Sequence, residues 1–270
     1  MTLRVIAYGG GVQSTALVVL ASQGKIDFPT ALFSNVGDDS EHPATLDYVR
    51  NVATPWANNR GMAIFELHRT RRTGKRETLW QELHRDDRTI NIPIRMPEGM
   101  PGNRNCTGTH KIKVVSRWLR EHGATKDDKA TVAIGISTDE YHRAGRRYEQ
   151  PREVAVYPLL DLDLSRQDCA NIIHRAGLPV PPKSSCFFCP FHKPSHWAEM
   201  RRDEPDLFQK SVDLETMLIA KRERMGRDPG YLTRFGKPLA EAVPVAQPTL
   251  FSGDDWLDES GECDDGYCFI

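Results

Sequence analysis

The sequence lacks the long apolar runs that membrane-spanning helices need. No stretch of its 270 residues approaches the roughly 20 consecutive apolar residues of such a helix. The N-terminus also lacks the basic segment, the long apolar core and the small-residue cleavage site of a secretory signal. We therefore expect a cytoplasmic protein that contacts no membrane.

Cysteine is scarce, and neither sign of charge is in excess. Six cysteines in 270 residues are too few for the disulfide framework of a secreted protein. The 36 lysines and arginines nearly balance the 37 aspartates and glutamates, which excludes a general attraction to nucleic acid. The charge is nevertheless segregated. Residues 68–148 carry 18 basic and 10 acidic residues, whereas residues 251–270 carry seven acidic residues and no basic one.

Apolar runs of strand length alternate with segments of helical periodicity. We predict strands at residues 3–8, 30–34, 63–67, 131–136 and 154–159, and helices at 14–21, 43–57, 111–122 and 165–176, the last with Ser165 as its N-cap. This alternation predicts an α/β fold with a doubly wound, mostly parallel sheet. A long helix predicted between Asp203 and Met225 adds a C-terminal helical extension.

The pattern suggests three regions. We expect an α/β domain at residues 1–182, a cysteine-containing loop and helical region at 183–250, and a flexible acidic tail at 251–270. Within the first region, residues 69–110 break the alternation and are too long for a simple turn.

The first predicted strand leads into three consecutive glycines, Gly9, Gly10 and Gly11, and then into a helix. Backbone amides at such a turn, together with the positive end of the helix, form an anion site. The loop matches neither G-x-x-x-x-G-K-[ST] nor G-x-G-x-x-G, which counts against a Walker-type NTPase and a standard dinucleotide fold. The spacing alone leaves phosphate binding and a plain tight turn equally open.

Three segments, in order, are similar to the ATP pyrophosphatase and phosphoadenosine-phosphosulfate (PAPS) reductase superfamily. Residues 9–14, G-G-G-V-Q-S, resemble its pyrophosphate loop S-G-G-x-D-S, with Gly9 at the usual Ser and Gln13 at the usual Asp. Residues 35–43 resemble D-T-G-x-E-x-P, with Asn35 at the first Asp. Residues 135–143 resemble G-x-R-x-x-E-x-x-R. The resemblance covers about residues 4–200.

The resemblance implies a Rossmann-like adenine-nucleotide α-hydrolase fold and an enzyme that adenylates an acceptor and releases pyrophosphate. It implies that ATP contacts the glycine loop and the two other segments, through Gly9, Gly10, Gly11, Gln13, Ser14, Asn35, Gly135 and Glu140. A catalytic role is implied for Asp38. Mg²⁺ neutralises transferred phosphates, and its candidate ligands are Asp38, Asp39 and Glu41. Acids at this position also cap and complement the start of a helix, which is the alternative.

Three cysteines form a candidate metal site. Cys186 and Cys189 form a C-x-x-C pair, and Cys106 precedes the predicted helix at 111–122. In iron-sulfur sulfurtransferases that the chain resembles, one upstream cysteine and a downstream C-x-x-C bind a [4Fe-4S] cluster. The resemblance thus implies Cys106, Cys186 and Cys189 as metal ligands, with Cys106 also catalytic. The alternatives are Zn²⁺ bound by Cys186, Cys189, His192 and His196, and a thioredoxin-like redox pair.

The other cysteines have less definite roles. Cys169 falls inside the predicted helix at 165–176, so we predict a core residue. Cys263 and Cys268 fall in the acidic tail, where a persulfide relay, a fourth cluster ligand and no catalytic role all stay open.

These features together predict an ATP-dependent iron-sulfur sulfurtransferase. The expected acceptor is tRNA or DNA, bound through the basic 68–148 region with Arg143, Arg146 and Arg147, and a solvated basic face is the alternative. A sulfur donor is also required. Two other functions stay open: a PAPS or adenylyl-sulfate reductase-like oxidoreductase acting through a tail cysteine, and a zinc-stabilised nucleotide-binding module without turnover.

Overall fold

The computed structural model describes residues 3–144 and 150–243. Their contacts divide the chain into two compact units. The first unit contains the chain up to Leu79 together with Thr107–Ser185, and the second contains Trp80–Cys106 together with the chain from Cys186. Residues 80–106 therefore group with the C-terminal part of the chain. Arg146, Arg147, Cys263, Cys268 and the acidic tail at 251–270 lie outside the described residues.

A five-stranded sheet, in which every strand pairing is parallel, forms the centre of the first unit. Its strand order is β3-β2-β1-β4-β5, where the strands are β1 (Arg4–Tyr8), β2 (Thr30–Asn35), β3 (Ala63–His68), β4 (Ala130–Ile134) and β5 (Glu153–Val156). In register, Val5 of β1 lies opposite Thr30 of β2 and Val132 of β4.

Ten α-helices are present in the described ranges. Their bounds are α1 (Val12–Ser22), α2 (Pro43–Asp47), α3 (Thr54–Asn58), α4 (Leu79–Leu83), α5 (Lys113–Glu121), α6 (Pro158–Asp161), α7 (Arg166–Arg175), α8 (Pro194–Asp203), α9 (Pro205–Arg224) and α10 (Leu239–Ala242). A π-helical segment, Tyr48–Ala53, joins α2 to α3, and a second one, Thr107–Ile112, leads into α5. A 3₁₀ segment, Thr138–Arg143, follows β4.

The two faces of the sheet pack against different helices. Ile6 and Tyr8 of β1 belong to a buried cluster that contains residues of α1, α2 and α7. Val5 and Ala7, which alternate with them along the strand, belong to a second cluster with Val115 and other residues of α5. Helices thus cover both faces, which confirms the predicted doubly wound α/β fold.

Two predictions about individual elements have different outcomes. Ser165 is the N-cap of α7 as predicted, and it forms a reciprocal capping box with Asp168. The strand predicted to run to residue 159 is too long, because β5 ends at Val156 and Pro158 begins α6. Proline cannot donate to a strand ladder but suits the first turn of a helix, which explains the difference.

The second unit contains α8, α9 and α10, as the predicted helical extension requires. The ammonium group of Lys221 on α9, which is 3% exposed, donates to the carbonyl oxygens of Leu83 (3.1 Å) and Arg85 (2.9 Å). These bonds tie α9 to the segment that begins at Trp80. Among the described helices, none is long and apolar enough to cross a membrane.

Candidate functional site

The glycine loop lies at the point where the strand order of the sheet reverses. β1 pairs with β2 on one side and with β4 on the other, so the chain winds away from β1 in both directions. Gly9–Gly11 follow β1, and Gly135 follows β4. In open parallel sheets, ligands bind in the crevice at the carboxyl ends of the strands at such a reversal.

Two of these glycines have no room for a side chain. Gly10 has a φ of +76°, and a Cβ on it would lie 2.9 Å from Cγ2 of Val49. A Cβ on Gly135 would lie 2.9 Å from the backbone nitrogen of Ser14. The absence of a side chain at Gly10 thus lets the turn after β1 pack against Val49, and its absence at Gly135 lets the turn after β4 approach the first turn of α1.

Helix α1 begins directly after this loop, and no side chain caps its N-terminus. Gly11 is the N-cap residue, and the first turn contains no acidic residue. The Ser14 hydroxyl donates to the Gly11 carbonyl (3.1 Å) and accepts from the Gly9 amide (3.2 Å), and the Ser184 hydroxyl donates to the Gly9 carbonyl. The loop is thus held in place by hydroxyl groups, and the helix presents its positive end without an internal counter-charge.

Gln13 joins the glycine loop to the segment after β4. Its side-chain amide donates to Glu140 (3.3 Å), and its carbonyl accepts from Arg166 (3.3 Å). Glu140 in turn pairs with Arg143 at 2.5 Å, and both of these side chains are buried. The structure therefore brings together Gly135, Gln13 and Glu140, which the sequence predicted as nucleotide contacts.

Asn35 and Asp38 meet in a second group, at the ends of β2 and β3. The Asn35 amide donates to Asp38 and to Glu66, each at 2.7 Å. The Arg50 guanidinium donates twice to each of these carboxylates, at 2.6–3.0 Å. These bonds from Arg50 lower the pKa of Asp38 and of Glu66 below their usual values, so both groups are carboxylates at neutral pH.

Arg50, Glu66 and Arg166 did not emerge from the sequence as site residues. Glu66 had a usable signal, because it is the one acidic residue within the apolar run Ala63–Leu67. Arg50 lies in the π-helical segment Tyr48–Ala53 and Arg166 at the start of α7, and no local spacing distinguishes either of them.

The three acidic residues proposed for Mg²⁺ take different partners. Asp38 pairs with Arg50, Asp39 accepts from Thr78 and Ser40 (both 2.9 Å), and buried Glu41 lies 3.7 Å from Lys111. They do not converge on one point. Across residues 3–144 and 150–243, no group of three or more His, Cys, Asp or Glu side chains is arranged to hold a single metal ion.

The three candidate cluster cysteines all belong to the second unit. Cys186 and Cys189 lie on one tight turn, in which the Cys189 amide donates to the Cys186 carbonyl (3.2 Å). The Cys106 amide donates to the Asn91 carbonyl (2.7 Å). All three are partly exposed and form no disulfide. His192 donates through Nε2 to the Cys186 carbonyl (2.9 Å), so this ring nitrogen is occupied by the turn itself.

An aromatic ring connects the segments of these cysteines. The Arg104 guanidinium lies 5.4 Å from the centre of the Phe191 ring, which brings the chain just before Cys106 against the chain just after Cys189. Arg95 lies over the same ring at 5.2 Å and donates to the Pro190 carbonyl (3.4 Å). Two guanidinium groups thus contact the ring of Phe191, which follows Cys189 by two residues.

Cys169 lies in the core of the first unit, as predicted. It is fully buried, and burial raises the pKa of its thiol to about 12. A neutral thiol in this environment acts as a small hydrophobic residue.

A basic cavity of about 440 Å³ lies beside the end of β3 in the first unit. Lys113, Arg117 and Arg120 line it, and Trp118, stacked on His122 at 3.7 Å, forms part of the wall. Arg117 is paired with Glu121 at 2.7 Å. Cationic groups beside an aromatic ring are the features that single-stranded nucleic acids contact.

When the chain is compared with known proteins, matches are found among solved structures. No family model matches the chain, and no curated protein is significantly similar to it. Among solved structures 13 chains match. One of them is a phosphoadenylyl-sulfate (PAPS) reductase from Candida auris in a phosphate complex, with 16% sequence identity and a TM-score of 0.43. The match covers 67% of this chain and 76% of that chain.

Proposed function

We propose that this chain is an ATP-dependent sulfurtransferase that adenylates its acceptor, releases pyrophosphate and uses a [4Fe-4S] cluster. The proposal combines the superfamily resemblance of three ordered motifs with the chemistry of two groups of side chains. One group lies at the sheet reversal of the first unit, and the other contains three thiols of the second unit.

The sheet reversal supports the nucleotide half of the proposal. The amides of the glycine loop and the uncapped N-terminus of α1 suit the phosphates of ATP. An acceptor oxygen would attack the α-phosphorus, the bond between the α and β phosphates would break, and pyrophosphate would leave. Gln13, Asn35, Gly135 and Glu140 act as nucleotide contacts in this proposal, and Asp38 acts with Mg²⁺, which stabilises the charge on the leaving group.

One observation carries the cluster half of the proposal. Cys106 is separated by 80 residues from Cys186, yet both belong to the same compact unit, with Arg104 over Phe191 between their segments. The donor set is chemically suited to a [4Fe-4S] cluster, because three thiols that form no disulfide can each bind one iron. Among the described residues these thiols are not already grouped around a single metal position. Such a cluster, when bound, supplies one iron without a protein ligand, where sulfur can be held for transfer.

The basic cavity of the first unit supports a nucleic-acid acceptor. Its lysine and arginine groups suit a phosphate backbone, and Trp118, whose ring is stacked on His122, adds an aromatic wall. We therefore propose tRNA or DNA as the acceptor class, with the sulfur supplied by a separate donor.

The first experiment measures iron, acid-labile sulfide and zinc in protein purified without oxygen, together with the visible spectrum. We expect about four irons and four sulfides per chain, in line with a single [4Fe-4S] cluster. Cys106→Ala should abolish the iron and the visible absorption. Cys169→Ala is the matched control, since Cys169 is a core thiol of the first unit, and it should retain both.

Two outcomes contradict the proposal. About one zinc per chain, without iron and unaffected by Cys106→Ala, would favour a zinc-stabilised nucleotide-binding module. Reduction of adenylyl sulfate that is lost in Cys263→Ala would favour a PAPS reductase-like oxidoreductase. Release of pyrophosphate from ATP that requires added tRNA or DNA would support the acceptor class, and release that survives nuclease treatment would exclude it.

A further inference from the structure

A second cavity, of about 440 Å³, lies within the second unit. Three arginines, Arg88, Arg222 and Arg227, line it together with three asparagines, and none of its lining residues is acidic. Its floor is apolar and comes from isoleucines of the segment 90–94 and from Met96. A cavity of this size with an apolar floor and a few convergent polar groups has the character of a small-ligand site.

The positive charge in this cavity has no acidic counterpart among the lining residues. Arg222 is only 9% exposed, and its guanidinium donates to the backbone carbonyl of Asp228 and to the sulfur of Met96 (3.5 Å). Burial lowers the pKa of Arg222, and the charge of nearby Arg227 lowers it further, whereas the charge of Asp228 opposes this shift. In the described ranges, no carboxylate forms an ion pair with Arg88, Arg222 or Arg227. A buried cation that lacks a directly paired anion is costly, so an anionic ligand would stabilise this arrangement.

The asparagines add neutral hydrogen-bonding groups beside this charge. The side-chain amides of Asn91, Asn103 and Asn105 make no hydrogen bond to any other described residue, so their donors and acceptors are available to a ligand. Amide groups of this kind recognise the edges of nucleobases, and guanidinium groups recognise phosphates. The combination suits a nucleotide better than a simple anion.

The cavity is connected to a candidate cluster ligand. Asn105 precedes Cys106 in the chain, and the Cys106 amide donates to the carbonyl of Asn91, another lining residue. A ligand in the cavity would therefore lie next to the segment that carries Cys106.

We infer that this cavity binds a nucleotide through its phosphate ester, with the guanidinium groups on the phosphate and the asparagine amides on the base. The inference deepens the proposed function, on which it rests, because it assigns a site for one nucleotide of the acceptor beside Cys106. The phosphate ester belongs either to a nucleotide of a polynucleotide chain or to a free mononucleotide, and these two sources are separated by the test.

The test measures binding directly and needs no turnover. A fluorescein-labelled single-stranded RNA of mixed sequence is titrated with the protein by fluorescence anisotropy at several salt concentrations, and adenosine 5′-monophosphate is titrated in parallel by calorimetry. The variants are Arg88→Gln and Arg227→Gln combined, since both side chains are exposed and their replacement should leave the fold intact. Arg224→Gln is the matched control, because Arg224 is exposed, lies outside the cavity and pairs with Asp86 (3.6 Å).

We expect the double variant to bind RNA roughly tenfold more weakly than the wild type, and the slope of log K against log salt to fall by about 0.7 for each phosphate contact removed. Arg224→Gln should leave affinity and slope unchanged. Loss of affinity for the mononucleotide alone would support the phosphate site and identify a free nucleotide as its source. Equal affinities of wild type, double variant and control for both probes would overturn the inference.

Iron content is measured on the same preparations, so that failure of the proposed cluster can be distinguished from failure of the nucleotide site in the cavity. Protein without iron whose RNA affinity still depends on Arg88 and Arg227 would contradict the cluster and support the cavity. Protein with a full cluster whose RNA affinity does not depend on Arg88 and Arg227 would support the cluster and contradict the nucleotide site in the cavity.

Discussion

The ionisation of Glu215 on α9 provides a test of how the second unit is stabilised. The side chain is 2% exposed, and its two carboxylate oxygens accept from the backbone amides of Leu232 (2.6 Å) and Leu239 (2.5 Å). It therefore links α9 to the loop that follows and to the start of α10. Burial raises the pKa of Glu215 from 4.5 to about 6, although the two hydrogen bonds oppose this shift.

The sign of the pH dependence follows from this shift. Between pH 4.5 and 6 the folded state holds the Glu215 proton more tightly than the unfolded chain does, so ionisation favours unfolding. The contribution of this group to the free energy of unfolding is therefore complete below pH 4.5 and falls as the pH rises to 6. With about 1.36 kcal/mol for each pKa unit, the change is about 2 kcal/mol.

The variant Glu215→Gln removes this titration, because its amide stays neutral. We expect the difference in unfolding free energy between wild type and variant to shift by about 2 kcal/mol in favour of the variant between pH 4.5 and pH 7. The remaining difference at low pH reports the hydrogen bonds alone, since the amide has one acceptor for two backbone donors.

Urea denaturation at several pH values measures this difference. Glu223→Gln on the same helix is the matched control, because the Glu223 side chain is exposed, and it should show no comparable change with pH. A wild-type and Glu215→Gln difference that stays constant from pH 4.5 to 7 would refute the reasoning, since it would mean that the buried carboxyl titrates as it does in the unfolded chain.

Two further predictions concern the first unit. Gly10→Ala should lower the free energy of unfolding by roughly 2–4 kcal/mol, because it combines a left-handed backbone with a steric clash. On the proposed function it should also abolish ATP binding, measured by calorimetric titration. Gly61→Ala, which has a similar φ and open space around it, should cost only about 1 kcal/mol and preserve that binding. Asn35→Asp should cost about 1–3 kcal/mol at pH 7, because a buried amide donor to two carboxylates becomes a third carboxylate. Asn51→Asp, which also faces a carboxylate but is exposed, should stay within about 0.5 kcal/mol in the same urea titrations, and equal losses in the two variants would contradict this account.

The elements of the sheet were predictable because each one has a local cause. The apolar runs at Val5 and Val132 alternate between the two faces of the sheet, and Ser165 has the side chain and the spacing of a helix cap. The glycine loop was also predictable, because it follows a strand directly. Such features depend on residues that are neighbours in the sequence, so local sequence patterns indicate them.

The features that escaped prediction depend on residues far apart in the chain. Residues 80–106 belong with the chain after Ser185, and no composition or periodicity within either segment indicates that association. Arg50 acquires its role only when β3 brings Glu66 next to Asp38. The Asn91 and Arg227 groups line one cavity although 136 positions separate them. Local patterns do not report such contacts, because the sheet and the helix packing create them.

Two of the positions at which the chain departs from the motifs it resembles, Gln13 and Asn35, are explained by this long-range environment. An aspartate at residue 35 would face the carboxylates of Asp38 and Glu66, which already share one guanidinium group, whereas the Asn35 amide donates to both. Gln13 likewise donates to Glu140 and accepts from Arg166, which a carboxylate could not do toward an acidic partner. In both cases a neutral amide stands where the surrounding structure already supplies the negative charge.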